Sequence, residues 1–247
     1  MNKMKVITVV LATSVLIACN NQAEQKSSEI PVVEAKVKPL VEDVLTQEQR
    51  DALSPDDVLK LFKDGNDRFI NNDLTARDHS AQVRKSASGQ FPKAVVLSCL
   101  DSRVPVEDVF DRGIGDVFVG RVAGNFVNED QLGSMEFGRK VAGTKLILVL
   151  RHEHCGAVQA AIDDLKLGNI TAMLSKIRPA VENVHYEGER TSKNKEFVQM
   201  VCESNVKHTM EQIRMNSPIL KELEDIGQVK IVGGVYDMDS GVVTFLE

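Results

Sequence analysis

The sequence predicts an α/β fold: a mainly parallel central sheet flanked by helices, with an antiparallel hairpin at its C-terminal edge. Short apolar runs of strand length recur through the chain and alternate with segments of helical period. Each of the first three runs is followed by a connection long enough for a helix, which is what parallel neighbours require. The last two runs, Val229–Tyr236 and Val242–Leu246, are separated only by the turn Asp237–Gly241, so they pair as a hairpin.

In chain order, Lys3 and Lys5 precede Val6–Ala18, thirteen mostly apolar residues. This is the layout of an export signal, and it is shorter than the about 20 residues that a spanning helix needs. The run ends Leu16-Ile17-Ala18-Cys19, which resembles the lipobox of bacterial lipoproteins and implies lipidation at Cys19. Residues 1–18 are thus expected to be a signal, 19–46 a flexible tether rich in Gln, Glu, Lys and Ser, and 47–247 the folded domain. The protein is expected to be exported and held by lipid on a bacterial membrane, facing the periplasm.

Within the domain, Ser54-Pro55-Asp56-Asp57 reads as an N-cap, a proline at the first helical position and acids in the first turn. Val58, Leu61, Phe62, Phe69 and Ile70 continue it at helical spacing. A short helix over Ser80–Ser86 follows, and Gly89-Gln90-Phe91-Pro92 breaks the chain before the first strand begins at Ala94. A helical turn over Pro105–Phe110 leads to the second strand, Asp116–Val122. Asn128 caps a helix over Glu129–Val141, with Gln131 placed to complete a capping box. Lys145–Leu150 is the third strand, followed by a helix over Gly156–Leu165 that ends at Gly168. Met173, Leu174 and Ile177 suggest a helix broken at Pro179. Lys193–Arg214 is a long amphipathic helix, and Ser217-Pro218 starts another that Gly227 ends.

The composition, 43% hydrophobic and 27% charged, is that of an ordinary soluble globular domain. A net charge of −6 and the lack of a basic stripe argue against nucleic-acid binding. Of four cysteines, Cys19 is taken by lipid; the odd number left speaks against a disulfide framework. Cys99, Asp101 and Arg103 stand at the end of one strand, and His152 and Cys155 at the end of another. Ligands bind outside the carboxyl ends of strands in open α/β sheets, and thiolate, imidazole and carboxylate are the usual zinc ligands. The candidate metal set is therefore Cys99, His152 and Cys155, with either Asp101 or water as the fourth ligand. Cys99 and Asp101 alternate along the strand and so share a face, and Arg103 can hold the Asp101 carboxylate in a charge-assisted pair. The bland alternatives are buried core thiols, a Cys99–Cys155 disulfide, and a purely structural Asp101–Arg103 pair.

Cys99–Arg103 (Cys-x-Asp-Ser-Arg) and His152–Gly156 (His-x-x-Cys-Gly) together resemble the β-class carbonic anhydrases, as do Arg121–Asn125 and the segment Tyr236–Gly241. The resemblance implies a zinc enzyme, one ion per chain, that reversibly hydrates carbon dioxide to bicarbonate and a proton by zinc-bound hydroxide. It assigns catalytic duties to Asp101, which orients the nucleophile, and to Arg103, which keeps Asp101 off the metal. It places Gln90, Phe118, Ala123 and Gly156 at the substrate, and implies a homodimer or higher oligomer. Because two thiolates cancel the charge of the ion, activity is expected to rise towards alkaline pH. Regulation through a bicarbonate pocket that uses a Trp is disfavoured, since the chain has none. Two residues depart from the family pattern. Phe137 stands where a Tyr is typical of the plant-like subgroup. Arg151 replaces the usual glycine before the ligand histidine, and either points to solvent or adds positive charge near the anionic product. His154 is expected at solvent or a subunit interface, and Cys202 as a buried thiol. The competing functions are a non-catalytic zinc-binding lipoprotein on the same fold and a hydrolase of a related small heterocumulene.

Overall fold

The computed structural model describes residues 39–246. The expected signal, Cys19 and the tether up to residue 38 lie outside the described residues. The end of that segment, 39–46, packs on the domain as an extended arm. Val41 exchanges backbone hydrogen bonds with Ala76 and Asp78, and the Asp43 carbonyl accepts from Gln82 Nε2 at 3.2 Å. Among the described residues, hydrogen bonds to the domain are made from Val41 onward.

Helix α1 (Gln47–Asp51) opens with a capping box built on Thr46. Helix α2 (Pro55–Ile70) carries the expected signals: Ser54 caps it, Asp57 returns the bond, and Pro55 sits in the first turn. Asp78 caps α3 (His79–Ser86), and β1 (Ala94–Ser98) follows. Next come α4 (Val106–Val109), β2 (Val117–Arg121), α5 (Glu129–Lys140) and β3 (Leu146–His152). Asn128 caps α5 through the Gln131 N–H, but the Gln131 side chain lies against Gly120 on β2 instead of returning to the cap. Helix α6 (Gly156–Ile162) is shorter than expected, and Gly168 opens α7 (Gly168–Leu174) where a helix end was expected. Pro179 likewise starts α8 (Arg178–Glu182), because the first turn needs no N–H from it. Asn194 caps α9 (Lys195–Asn216), and Ser217 caps α10 (Pro218–Asp225). The hairpin β4 (Lys230–Tyr236) and β5 (Val243–Leu246) completes the chain.

The sheet order is β2-β1-β3-β4-β5, with β1 to β4 parallel and β5 antiparallel to β4. Its central strand, β3, is buried throughout, as strands covered on both faces are. On one face Ala94, Val96, Leu146 and Leu148 pack against Val58, Phe62 and Phe110 from α2 and the α4 region. On the other, Val95, Leu97, Ile147 and Val149 meet Met135, Val206 and Ile213 from α5 and α9. Helix α2 comes close enough to Phe110 that a Cβ at Gly65 would stand 2.0 Å from its carbonyl oxygen. A third cluster, around Phe126, Val158, Phe197 and Val201, packs beyond the carboxyl ends of β1 and β3. Both strands deliver their ligand residues into that cluster.

Candidate metal centre

Strand β1 ends at Ser98, three residues short of what alternation to Asp101 would need, so Cys99 is the first residue of the connection that follows. Arg121, at the end of β2, fixes this turn. Its guanidinium donates to the carbonyls of Cys99 at 3.0 Å and Val104 at 2.7 Å. Strand β3 runs through His152. The chain then turns with His154 in the left-handed region (φ 52°) and returns Cys155 to face Cys99. Glu153 N donates to Tyr236 O on β4, which anchors this short loop.

The two sulfurs are 3.9 Å apart, and one ligand atom from each of Cys99, His152 and Cys155 lies within 4.8 Å of the others. All three side chains are buried, and both thiols are free. His152 Nδ1 donates to the Glu153 carbonyl at 2.7 Å, which fixes the ring and leaves Nε2 buried with no hydrogen-bond partner among the described residues. An imidazole held by a carbonyl at one nitrogen and unpartnered at the other is oriented as a metal-bound histidine is. Gly124 N donates to Cys99 Sγ at 3.4 Å. Hydrogen bonding from Cys99, with the charge of Arg151 nearby, lowers the Cys155 pKa, while the same sulfur–sulfur contact and burial raise that of Cys99. One thiolate forms readily and the second resists, a conflict that a dication removes. The donor set fits zinc.

Asp101 stands beside the cluster and not within it. Its Oδ2 is 3.7 Å from His152 Nε2, too far for a hydrogen bond. Arg103 grips both oxygens, Nε to Oδ1 at 2.9 Å and Nη2 to Oδ2 at 2.7 Å, and its backbone N–H adds a third bond at 3.0 Å. The Arg103 side chain thus holds the carboxyl well below the usual carboxylate range. The pair forms by a turn, not by the strand alternation read from the sequence.

The other expected substrate contacts divide. Ala123 precedes Gly124 and so borders Cys99, and Gly156 opens α6 next to Cys155 with empty space where a Cβ would be. Gln90 is exposed beside Gly115 at the amino end of β1, a strand length of roughly 17 Å from the cluster. Phe118 lies mid-way along β2, in register with Val95 and packed towards α5. Within one chain the structure does not bring Gln90 or Phe118 to the metal centre. His154 and Phe137 are exposed, and Cys202 is buried on α9. Arg151 is fully buried, not solvent-facing. The stapling role of Arg121 was missed in the sequence, where only its place in the Arg121–Asn125 segment was noted.

An α/β sheet that gathers two thiols and an imidazole at its strand ends, with an acid held just outside them, has the build of a zinc enzyme. Residues 94–243 match the family model described as carbonic anhydrase. Carbonic anhydrase 2 of Mycobacterium tuberculosis is 35% identical over 191 residues, covering 74% of this chain and 88% of that protein. The carbonic anhydrase of Mycolicibacterium smegmatis is 34% identical over 74% of this chain and 89% of its own. Among solved structures, the Coccomyxa β-carbonic anhydrase in complex with acetazolamide superposes with a TM-score of 0.59 at 26% identity, over 76% of this chain and 84% of that one. The β-carbonic anhydrase of Aspergillus fumigatus gives 0.59 at 25% identity, over 68% and 82%. This chain belongs to the β-class carbonic anhydrase family.

Proposed function

We propose that the chain is a carbonic anhydrase whose chemistry runs at the Cys99–His152–Cys155 centre, interconverting carbon dioxide and water with bicarbonate and a proton. The observation that carries this is the buried, unpartnered His152 Nε2 grouped with two free sulfurs. Zinc, when bound there, supplies the Lewis acidity that makes water a nucleophile near neutral pH. The protein does the rest. Cys99, His152 and Cys155 hold the ion, and Arg103 keeps both Asp101 oxygens occupied, so the fourth position is left to solvent and substrate. Asp101, ionised and adjacent, accepts a hydrogen bond from the nucleophile and orients its lone pair towards carbon. Ala123 and Gly156 present little bulk beside the ligands, which suits a small linear substrate. An Asp101 engaged by Arg103 favours this reading over a closed, four-ligand zinc store. Metal analysis with stopped-flow hydration tests it: about one zinc per chain and no hydration at pH 8–9 overturns it. Cys155→Ser is expected to lose both metal and activity.

For Gln90 to contact substrate, that substrate must sit in the site of a second copy, since its own site is a strand length away. The β2 edge is only half-buried, and Phe118 lines a cavity of about 590 Å³ between β2 and α5. Both support a homodimer or higher oligomer, which sedimentation would show; a monomer at micromolar concentration counts against it. We also propose the signal at 1–18, the lipid on Cys19 and a periplasm-facing membrane anchor, supported by Lys3, Lys5 and the Leu16–Cys19 motif. Cys19→Ser should move the protein from the membrane to the soluble fraction, and an unchanged distribution refutes the anchor.

A further inference from the structure

Arg151 heads the fully buried side chains, at 0% exposure. A guanidinium stays charged throughout the pH range of folded proteins, and a buried charge without a partner is strongly destabilising. Yet among the described residues no carboxylate meets this one. Nη1 donates to the Gly124 carbonyl and to Asn125 Oδ1, both at 2.6 Å; Nε and Nη2 find no oxygen or nitrogen partner among the described residues, and the remaining polar contact of the guanidinium is with the Cys202 sulfur. The sulfurs it faces are Cys155 and Cys99 of the metal centre, and Cys202 from α9, whose thiol pKa burial pushes up.

We propose that Arg151 is a positioning residue whose buried positive charge makes the metal centre select an anion in its open position. Two thiolates cancel the charge of a zinc ion and the imidazole adds none, so the three ligands alone leave the centre neutral. Arg151 makes the buried ensemble singly positive. A singly charged anionic fourth ligand, such as bicarbonate or thiocyanate, restores neutrality where low dielectric magnifies the attraction. The link is also mechanical. The Gly124 carbonyl accepts from Arg151 and, at 3.2 Å, from Asn205 Nδ2, while the N–H of the same residue points at Cys99 Sγ. The cation and a metal ligand are thus tied through one residue.

This rests on the zinc reading, which wild-type metal content and hydration rate test without touching Arg151. The probe is thiocyanate, titrated into cobalt-substituted protein and followed by visible absorption. Arg151→Met removes the charge and keeps much of the bulk; its thiocyanate dissociation constant is expected to rise about tenfold. A rise of less than fivefold in folded, metal-loaded protein overturns the proposal. Arg151→Lys keeps the charge and is expected to stay within threefold of wild type. A larger loss there shows that the hydrogen bonds matter and the charge does not, which also overturns the proposal. Should the methionine variant not fold, the lysine variant alone decides by that threshold.

Discussion

At Asp101 the carboxylate gives both oxygens to Arg103, and those hydrogen bonds hold its pKa well below the ordinary range. It therefore stays an acceptor at every pH at which the enzyme works, and cannot drift onto the ion while Arg103 is present. Asp101→Asn is expected to lower kcat/KM about 100-fold, the scale of a lost acid–base or orienting group. Its zinc content by elemental analysis should stay at the wild-type level. Arg103→Ala frees the acid instead. The expected result is a changed visible spectrum in the cobalt form, as an Asp101 oxygen reaches the metal, together with lost activity. An unchanged spectrum would mean that something other than Arg103 restrains Asp101.

At the level of elements, the site depends on how connections are tied down. Gly124 follows β2 in the left-handed region (φ 80°), and a Cβ there would stand 2.2 Å from Ile177 Cδ1. Gly124→Ala combines backbone strain with overpacking, about 2–4 kcal/mol together. It should also weaken zinc binding, because the N–H to Cys99 must move; chelator competition measures this. Away from the site, buried Asp111 joins α2 and the chain before α3 to the loop after α4. It accepts from Arg68 at 2.5 Å, Arg77 at 2.6 Å and Thr75 at 2.7 Å. Burial pushes its pKa up, but the bonds from Thr75, Arg68 and Arg77 outweigh this and hold it at about 2. The folded value lies below the unfolded one of about 3.9. The stabilisation is therefore complete above pH ~4 and lost as pH falls towards ~2. Asp111→Asn, which tolerates the same left-handed backbone (φ 50°), should cost about 3 kcal/mol at neutral pH and flatten stability across that acid window. Urea melts at pH 7, 4 and 3 would show it.

For the molecule as a whole, the metal centre hangs on a sheet that is already packed on both faces. Chelation should therefore leave the far-UV spectrum native-like, unlike a zinc finger, while lowering the melting temperature. Zinc free at 1,000 times its Kd contributes about 4 kcal/mol by linkage. Unfolding on chelation would show that the third cluster, around Cys99, Cys155 and Phe197, has no stability of its own.

The sequence by itself determined the alternation of strands and helices, the caps at Ser54, Asn128 and Ser217, and the two motifs that supply the ligands, because these depend on periodicity and on neighbours a few residues apart. Helix breaks at Gly168 and Pro179 were misjudged, since both residue types serve as readily in a first turn as at an end. What faces what was decided only by the tertiary structure. Asp101 reaches its place by a turn stapled by Arg121, from a different strand. Gln90 and the metal ligands lie at opposite ends of one strand, a separation that no motif encodes. Arg151, within β3, turns into the interior, where α9 brings Cys202 against it. In one dimension a charge at that position is open to either reading, solvent or site, and only the packing of helix on sheet buries it.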